Sequence, residues 1–293
     1  MFCKNTLQTQ LSFVVICLIA VVTVGCAAKK ELWGDPEKGL ILAYRFPENQ
    51  ALKYEMSSEN IQKMEVMGQP IEIKSDKTYV FSVESKELKE DNYKLGITID
   101  SMKSHVVTPQ GELSPDMSNV IGKSFDMALS PLGKEVDLSG SESIQWELAG
   151  EKHSITPDFQ TIFPDLADRP VKIGDSWESK DTISIKEASS EVRISLEGMN
   201  TLVGYETMNG VECARITTEF TGTVDGKGKQ QGIDLVTEGE VKGTDTWYFG
   251  YKDGLLVKLI SSGVAEAMIT GSGPQNITIP MTQEIKVETT LAR

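Results

Sequence analysis

From Leu52 onward, apolar and polar residues alternate with a period of two through most of the chain. Leu95, Ile97 and Ile99 fall on one parity, and Lys94, Thr98 and Asp100 on the other. The same holds for Val192, Ile194 and Leu196 against Arg193, Ser195 and Glu197, and for Tyr79, Phe81 and Val83 in the stretch that follows Ile71. That period places one parity on each face of a strand, one face dry and one wet, an arrangement characteristic of antiparallel sheets. Trp247, Phe249 and Tyr251 share a parity, as do Ile277, Ile279, Met281, Ile285 and Val287 near the C-terminus.

Turn chemistry separates these runs. Gly68-Gln69-Pro70, Lys89–Asn92, Ser130–Gly133, Lys252-Asp253-Gly254 and Gly271–Pro274 each punctuate the alternation. Asn209-Gly210 is the strongest hairpin signal, because both central residues of a type I′ turn need positive φ. The Gly-rich, charged stretch 222–243, with Asp225-Gly226-Lys227-Gly228, predicts a hairpin with a mobile tip there. Helix is expected only in the first residues, from Pro157 to about Ile162 with Thr156 as N-cap, and within Ser141–Leu148.

The stretch Phe163–Trp177 is turn chemistry between two long alternating regions. It divides the chain into an N-terminal β half (40–163), a connector (164–177) and a C-terminal β half (178–293). Gly122…Phe125…Met127…Leu129…Gly133 is echoed by Gly243…Trp247…Phe249…Tyr251…Gly254, so the halves read as similar in plan. The expected fold is mainly β, with large antiparallel sheets forming a curved sheet, half-barrel or sandwich and little helix. Within the connector, Gly174 and Asp175 turn the chain and Trp177 is expected to be a buried structural anchor.

The N-terminus changes the picture from fold to address. Lys4 precedes an apolar run, Leu11–Val24, that is too short for a stable span and ends in Gly25 and Cys26. Residues 1–25 therefore read as a signal peptide, and 26–39 as a modified N-terminus and tether. Three of the four cysteines, Cys3, Cys17 and Cys26, belong to that segment. Cys213 remains, in a strand-like run, as a small buried apolar side chain. One thiol and two scattered histidines, His105 and His153, give no metal signature, and no cofactor is expected. The formal net charge of -14 disfavours nucleic acid as a partner.

Candidate chemistry fails on its surroundings. Gly174-Asp175-Ser176 contains a serine, but Trp177 and Glu178 follow where an oxyanion turn needs small residues. Gly122-Lys123-Ser124 ends like a phosphate-binding loop, but Met117 stands where its other glycine belongs. No spacing of carboxylates singles out an acid–base pair, and no catalytic residue is named.

The Val-Thr-Val-Gly-Cys end of the apolar run resembles a bacterial lipobox, which implies lipidation of Cys26. The mature chain, with its mid-chain Pro-Val-Lys-x-Gly-Asp-Ser-Trp element at Pro170–Trp177, resembles a group of uncharacterised bacterial envelope lipoproteins, domains of unknown function. In architecture it is also similar to open half-barrel lipoprotein carriers whose concave sheet holds acyl chains. The first resemblance implies a membrane-anchored protein of the cell envelope, held by Cys26 and facing the periplasm or the exterior. Ala28 in place of an aspartate points to the outer membrane where the host has one. The expected role is non-enzymatic, either structural or the binding of a protein or hydrophobic-ligand partner. The alternatives are a carrier with a half-barrel cavity, which an apolar concavity beyond the core would favour, and a hydrolase, which converging polar groups with perturbed pKa would favour.

Overall fold

The computed structural model describes residues 33–89, 91–187, 189–230, 232–272 and 276–292. The expected signal peptide, Cys26 and the first part of the tether lie outside the described residues. In chain order the strands are β1 (Gly34–Asp35), β2 (Gly39–Leu40), β3 (Leu52–Val66), β4 (Gln69–Lys89), β5 (Asn92–Thr108), β6 (Gly111–Leu113), β7 (Ser124–Leu129) and β8 (Glu135–Asp137). They continue as β9 (Gln145–Leu148), β10 (Glu151–Ser154), β11 (Ser176–Lys186), β12 (Ser190–Met208), β13 (Val211–Gln230), β14 (Ile233–Gly250), β15 (Leu255–Ser272) and β16 (Ile277–Ala292). The 21 residues of β4 span about 70 Å at roughly 3.3 Å per residue, so the sheet extends far beyond one core.

The expected mainly β fold with a curved antiparallel sheet is what the chain forms. A 12-stranded sheet runs β11-β12-β13-β14-β15-β16-β3-β4-β5-β7-β8, with β6 beside β5, and curls into a half-barrel. The strands of 40–163 and of 178–293 meet where β16 pairs with β3, from Ala292↔Lys53 to Met281↔Met64. Both sets thus share one hydrogen-bonded sheet. Consecutive pairing by hairpins explains most of the topology, and among the described strands of this sheet β16 to β3 is the pairing that joins distant parts of the sequence.

Helical content departs from expectation. Residues Thr156–Phe159 form a single 3-10 turn, with Ile155 and not Thr156 at its N-cap. The Thr156 hydroxyl is held instead by Ser141 and Ser154, at 2.7 and 2.8 Å. Those bonds compete with capping, and Pro164 bars a longer helix. Of Ser141–Leu148, only Ser141–Ser143 is helical, another 3-10 turn, and Gln145–Leu148 pairs with β10.

The hairpin expected within 222–243 forms between β13 and β14, with Asp225-Gly226-Lys227-Gly228 on its first arm. These residues lie inside β13, where Gly228 pairs with Leu235, and the hairpin turns beyond Gln230. The glycines are there for curvature. Gly222 falls on the inner face, and a Cβ on it would sit 2.2 Å from the Ser195 carbonyl oxygen on β12. The Phe220 ring likewise occupies the space that a Cβ on Gly243 would need. Glycine in a strand here marks close approach of backbones in a tightly curled sheet.

One end of the curled sheet is filled. The segment 40–46 places Leu40, Leu42, Tyr44 and Phe46 in the main core, alternating with exposed or part-buried Ile41, Ala43 and Arg45. Its backbone bonds to three distant turns: Leu40 to Val171, Tyr44 to Pro131 and Arg45 to Gly254. The stretch 155–171 adds Ile155, Phe159, Ile162, Phe163 and Val171. Phe159 meets Phe81 and Phe125 edge-on at 5.2 Å, and Tyr44 meets Phe249 at 5.2 Å and Phe163 at 5.5 Å. Aromatic burial on this scale dominates the stability of that end.

Candidate functional site: an apolar trough with a polar inner end

Beyond the filled end the inner face continues apolar. Leu196, Gly222, Val241, Ala265 and Gln283 lie in one cross-strand row from β12 to β16. The neighbouring rows add Ile194 and Val224, and Phe220 and Ile285. Every one of these side chains is buried or part-buried, whereas Arg193, Glu197, Glu240, Lys242, Glu266 and Glu284 on the other parity form the outer face. The inner-face side chains do not belong to the main core, apart from Val287 at its border. They form a continuous apolar inner face, referred to below as the trough; the opposite face is charged and carries a cavity of about 650 Å³ lined by Ser195, Glu197, Thr223, Glu240, Lys242 and Glu266.

A polar band crosses the inner face where trough meets core. Trp177, Asn200, Thr218, Asp245 and Ser261 occupy one row across β11 to β15. Trp247 Nε1 donates to Thr218 Oγ1 at 3.1 Å, and Thr218 Oγ1 donates to Asn200 Oδ1 at 2.6 Å. Asn200 is 2% exposed, and its Nδ2 has no hydrogen-bond partner among the described residues. Asp245 Oδ1 is in the same condition. Burial pushes the Asp245 carboxyl up to about 6; a hydrogen bond from Ser261 opposes the shift and the charge of Asp181 adds to it.

A charged seam stands beside this band. The edge strands β11 and β8 are not paired, but Lys134, in the turn leading to β8, reaches across to β11. Its Nζ donates to the Lys180 carbonyl at 2.6 Å and lies 2.9 Å from Asp181 Oδ1 and 2.5 Å from Asp165 Oδ2. Burial acts downward on the Lys134 ammonium, but hydrogen bonds to Asp165 and Asp181 outweigh it and raise its pKa. Asp165 rises to about 6, chiefly through burial, even with Lys134 against it. Glu135 is pushed well above the usual carboxylate range by burial, against a hydrogen bond from the Phe163 amide. The charge of Asp181 reaches Asp165, Glu135 and Asp245 alike, while Lys134 pairs with Asp165 and Asp181.

The connector residues sit at the rim of this arrangement. Gly174 has φ +93°, a conformation that favours glycine, and its N–H donates to the Leu202 carbonyl. Asp175 caps the turn, its Oδ2 accepting from Lys172 N at 2.9 Å, and its carbonyl accepts from Leu202 N. Trp177 is part-buried rather than enclosed; its Nε1 donates to the Asp165 carbonyl at 2.9 Å, and it meets Trp247 edge to face at 6.2 Å. Ser176 bonds Thr201 at 2.9 Å. His153 stacks on Trp146 and pairs with Glu187, and His105 lies near Ser114 and Glu112, so neither histidine meets Ser176. Cys213 is buried, its Sγ donating to the Val211 carbonyl.

Sequence reasoning missed Asn200, Asp245, Asp181 and Lys134. A signal for Asp245 was present: it shares the inward parity of Trp247 and Phe249, where an ionisable side chain is costly. Nothing in the sequence joins it to Lys134 or Asp181, because only the curl of the sheet brings those positions together.

No family model and no curated protein matches the sequence. Among solved structures, OccK5 (OpdH) of Pseudomonas aeruginosa overlays 85% of this chain and 100% of its own at 7% identity and a TM-score of 0.26. A Bacteroides fragilis protein described as exported, with a YmcC-like fold, overlays 86% and 98% at 9% identity and 0.24. A DUF1329 family protein from Desulfovibrio piger overlays 80% and 83% at 11% identity and 0.15. Overlays this loose assign neither a family nor a function to the chain.

Proposed function

We propose that this protein is a lipid-anchored binding protein of the bacterial cell envelope that carries a hydrophobic ligand in the trough of its curled sheet. The observation that carries this reading is the inner face beyond the core. Ile194, Leu196, Phe220, Val241 and Ile285 line it, and the main core does not cover them. A continuous, part-buried apolar face outside the main core, in a chain with a formal net charge of -14, supports a ligand site. The anchor rests on Cys26 and the apolar run before it. Two or more acyl chains on that cysteine would hold the protein stably at a membrane, where one would not.

Nile red, an apolar fluorophore, should bind the purified protein and brighten. Leu196→Glu, which puts a charge on the trough wall, should weaken that binding at least tenfold, whereas Glu240→Gln on the outer face should not. Equal binding by all three proteins would refute the carrier reading. Cys26→Ser should abolish palmitate labelling; unlabelled, soluble wild-type protein would refute the anchor.

A hydrolytic reading has one observation in its favour: Asp165 and Asp245 titrate near 6, in the range useful for acid–base catalysis. Ester hydrolysis by the wild type that Asp245→Asn abolishes would establish it.

A further inference from the structure

The polar inner end of the trough is more specific than a carrier of plain hydrocarbon requires. Asp245 stands on the inward parity of β14, between Trp247 and Gly243, with one carboxylate oxygen buried and unpartnered. Asp181 stands on the inward parity of β11, paired with Leu196 on the neighbouring strand, and its charge reaches Asp245. Lys134 is held by Asp165 and Asp181, so it leaves Asp245 without a cation of its own. Separately, Asn200 is almost wholly buried two strands from Asp245 in the same row. Thr218 fixes its Oδ1, and its Nδ2 points to no acceptor. Buried polar groups left unpaired cost free energy, and native proteins rarely keep them without a reason. Here an acceptor and a donor are left open in one band, and the surrounding charge is negative.

We infer that this band is a head-group subsite, and that the ligand is an amphiphile whose head carries a protonated amine with a neighbouring hydroxyl or carbonyl oxygen. The ammonium donates to Asp245 and faces Asp181. The oxygen accepts from Asn200 Nδ2. The chain runs outward over Phe220 and Leu196. An anionic head is disfavoured, because it would enter beside Asp181, Asp245 and Asp165 with Lys134 already paired. The inference rests on the carrier reading and adds the class of head group to it.

The test displaces Nile red from the full-length protein with dodecylamine, dodecanol and dodecanoate, which share a chain and differ at the head. Dodecylamine should displace at a concentration at least tenfold lower than dodecanoate, with dodecanol between them. Asp245→Asn should shrink the amine-to-acid ratio to within about threefold, and Asp181→Asn should shrink it in the same direction. Glu238→Gln, on the outer face, should keep the full ratio. Equal displacement by amine and acid in the wild type would overturn the inference and leave the carrier reading standing. So would a ratio that both aspartate variants preserve. Failure of all three compounds to displace would refute the carrier reading and the subsite with it.

Discussion

Lys134 and Asp181 face each other at 2.9 Å across the gap between the two unpaired edge strands. A 12-stranded sheet that ends in two free edges would leave rows of backbone groups exposed. Here the edge of β11 is answered by side chains: Lys134 donates to the Lys180 carbonyl, and Gln160 Oε1 accepts from Ser184 N at 2.6 Å. The half-barrel is thus drawn together by charge and hydrogen bonding at its filled end.

Removing Lys134 should therefore loosen this seam. Lys134→Met leaves Asp165 and Asp181 without their cation. Loss of one partner of a buried pair costs roughly 3–5 kcal/mol, and the half-exposed lysine reduces that to about 1–2 kcal/mol. The penalty should shrink at pH 5, where Asp165, with its pKa near 6, is protonated in either protein. Urea unfolding at pH 7.5 and pH 5 measures both; an equal penalty at the two values would contradict the seam.

Asp245 makes the opposite prediction about pH. Its folded pKa, about 6, lies above the 3.8 of an ordinary aspartate, so between those values the folded state binds the proton more tightly than the unfolded. The stability that Asp245 contributes is then full below about pH 4 and is lost as pH rises through about 6. Asp245→Asn cannot lose that proton. Its stability relative to the wild type should improve on going from pH 4 to pH 7.5 by on the order of 1–3 kcal/mol. A pH-independent difference would show that the carboxyl is not buried as described.

Trp177 ties the connector to the core by a hydrogen bond to the Asp165 carbonyl and an edge contact with Trp247. Trp177→Phe keeps most of the ring and loses the bond, which should cost about 1 kcal/mol. Trp177→Ala also loses the packing. Because the ring is part-exposed, the cost should sit at the lower end of the roughly 3–5 kcal/mol of a buried aromatic. Unchanged melting temperatures in both variants would make Trp177 a surface residue.

Gly222 tests the curvature. Gly222→Ala forces a Cβ toward the Ser195 carbonyl and the Leu196 side chain, so β12 and β13 must move apart. It should destabilise by more than about 1 kcal/mol, whereas Thr223→Ala, on the outer face, should stay within about 0.5 kcal/mol. A harmless Gly222→Ala would mean that the strands have room there.

Much of this fold is legible in the sequence because it is local. The parity of Leu95, Ile97 and Ile99 predicts their full burial, and Asn209-Gly210 predicts the hairpin between β12 and β13. The Gly-rich stretch 222–243 predicts the β13–β14 hairpin but not the role of each glycine, since the same residue type serves a turn and a close approach of strands, and only the neighbouring strand distinguishes them. Thr156 misleads because Ser141, fifteen residues away, takes its hydroxyl. The trough is legible as an inward parity that stays apolar along β12 and β16. Its polar inner end is not, because Lys134, Asp181 and Asp245 meet only through the curl of the whole sheet.

The central claim is that the ligand lies on the inner face beyond the core. A long-chain alkyl probe bearing a diazirine, photolysed on the protein and mapped by peptide mass spectrometry, tests it most directly. The account predicts adducts at inward positions such as Ile194, Leu196, Phe220 and Ile285, which cold competitor removes. Adducts confined to outward positions such as Glu240, Lys242 and Glu266, or spread evenly over both faces, would contradict it.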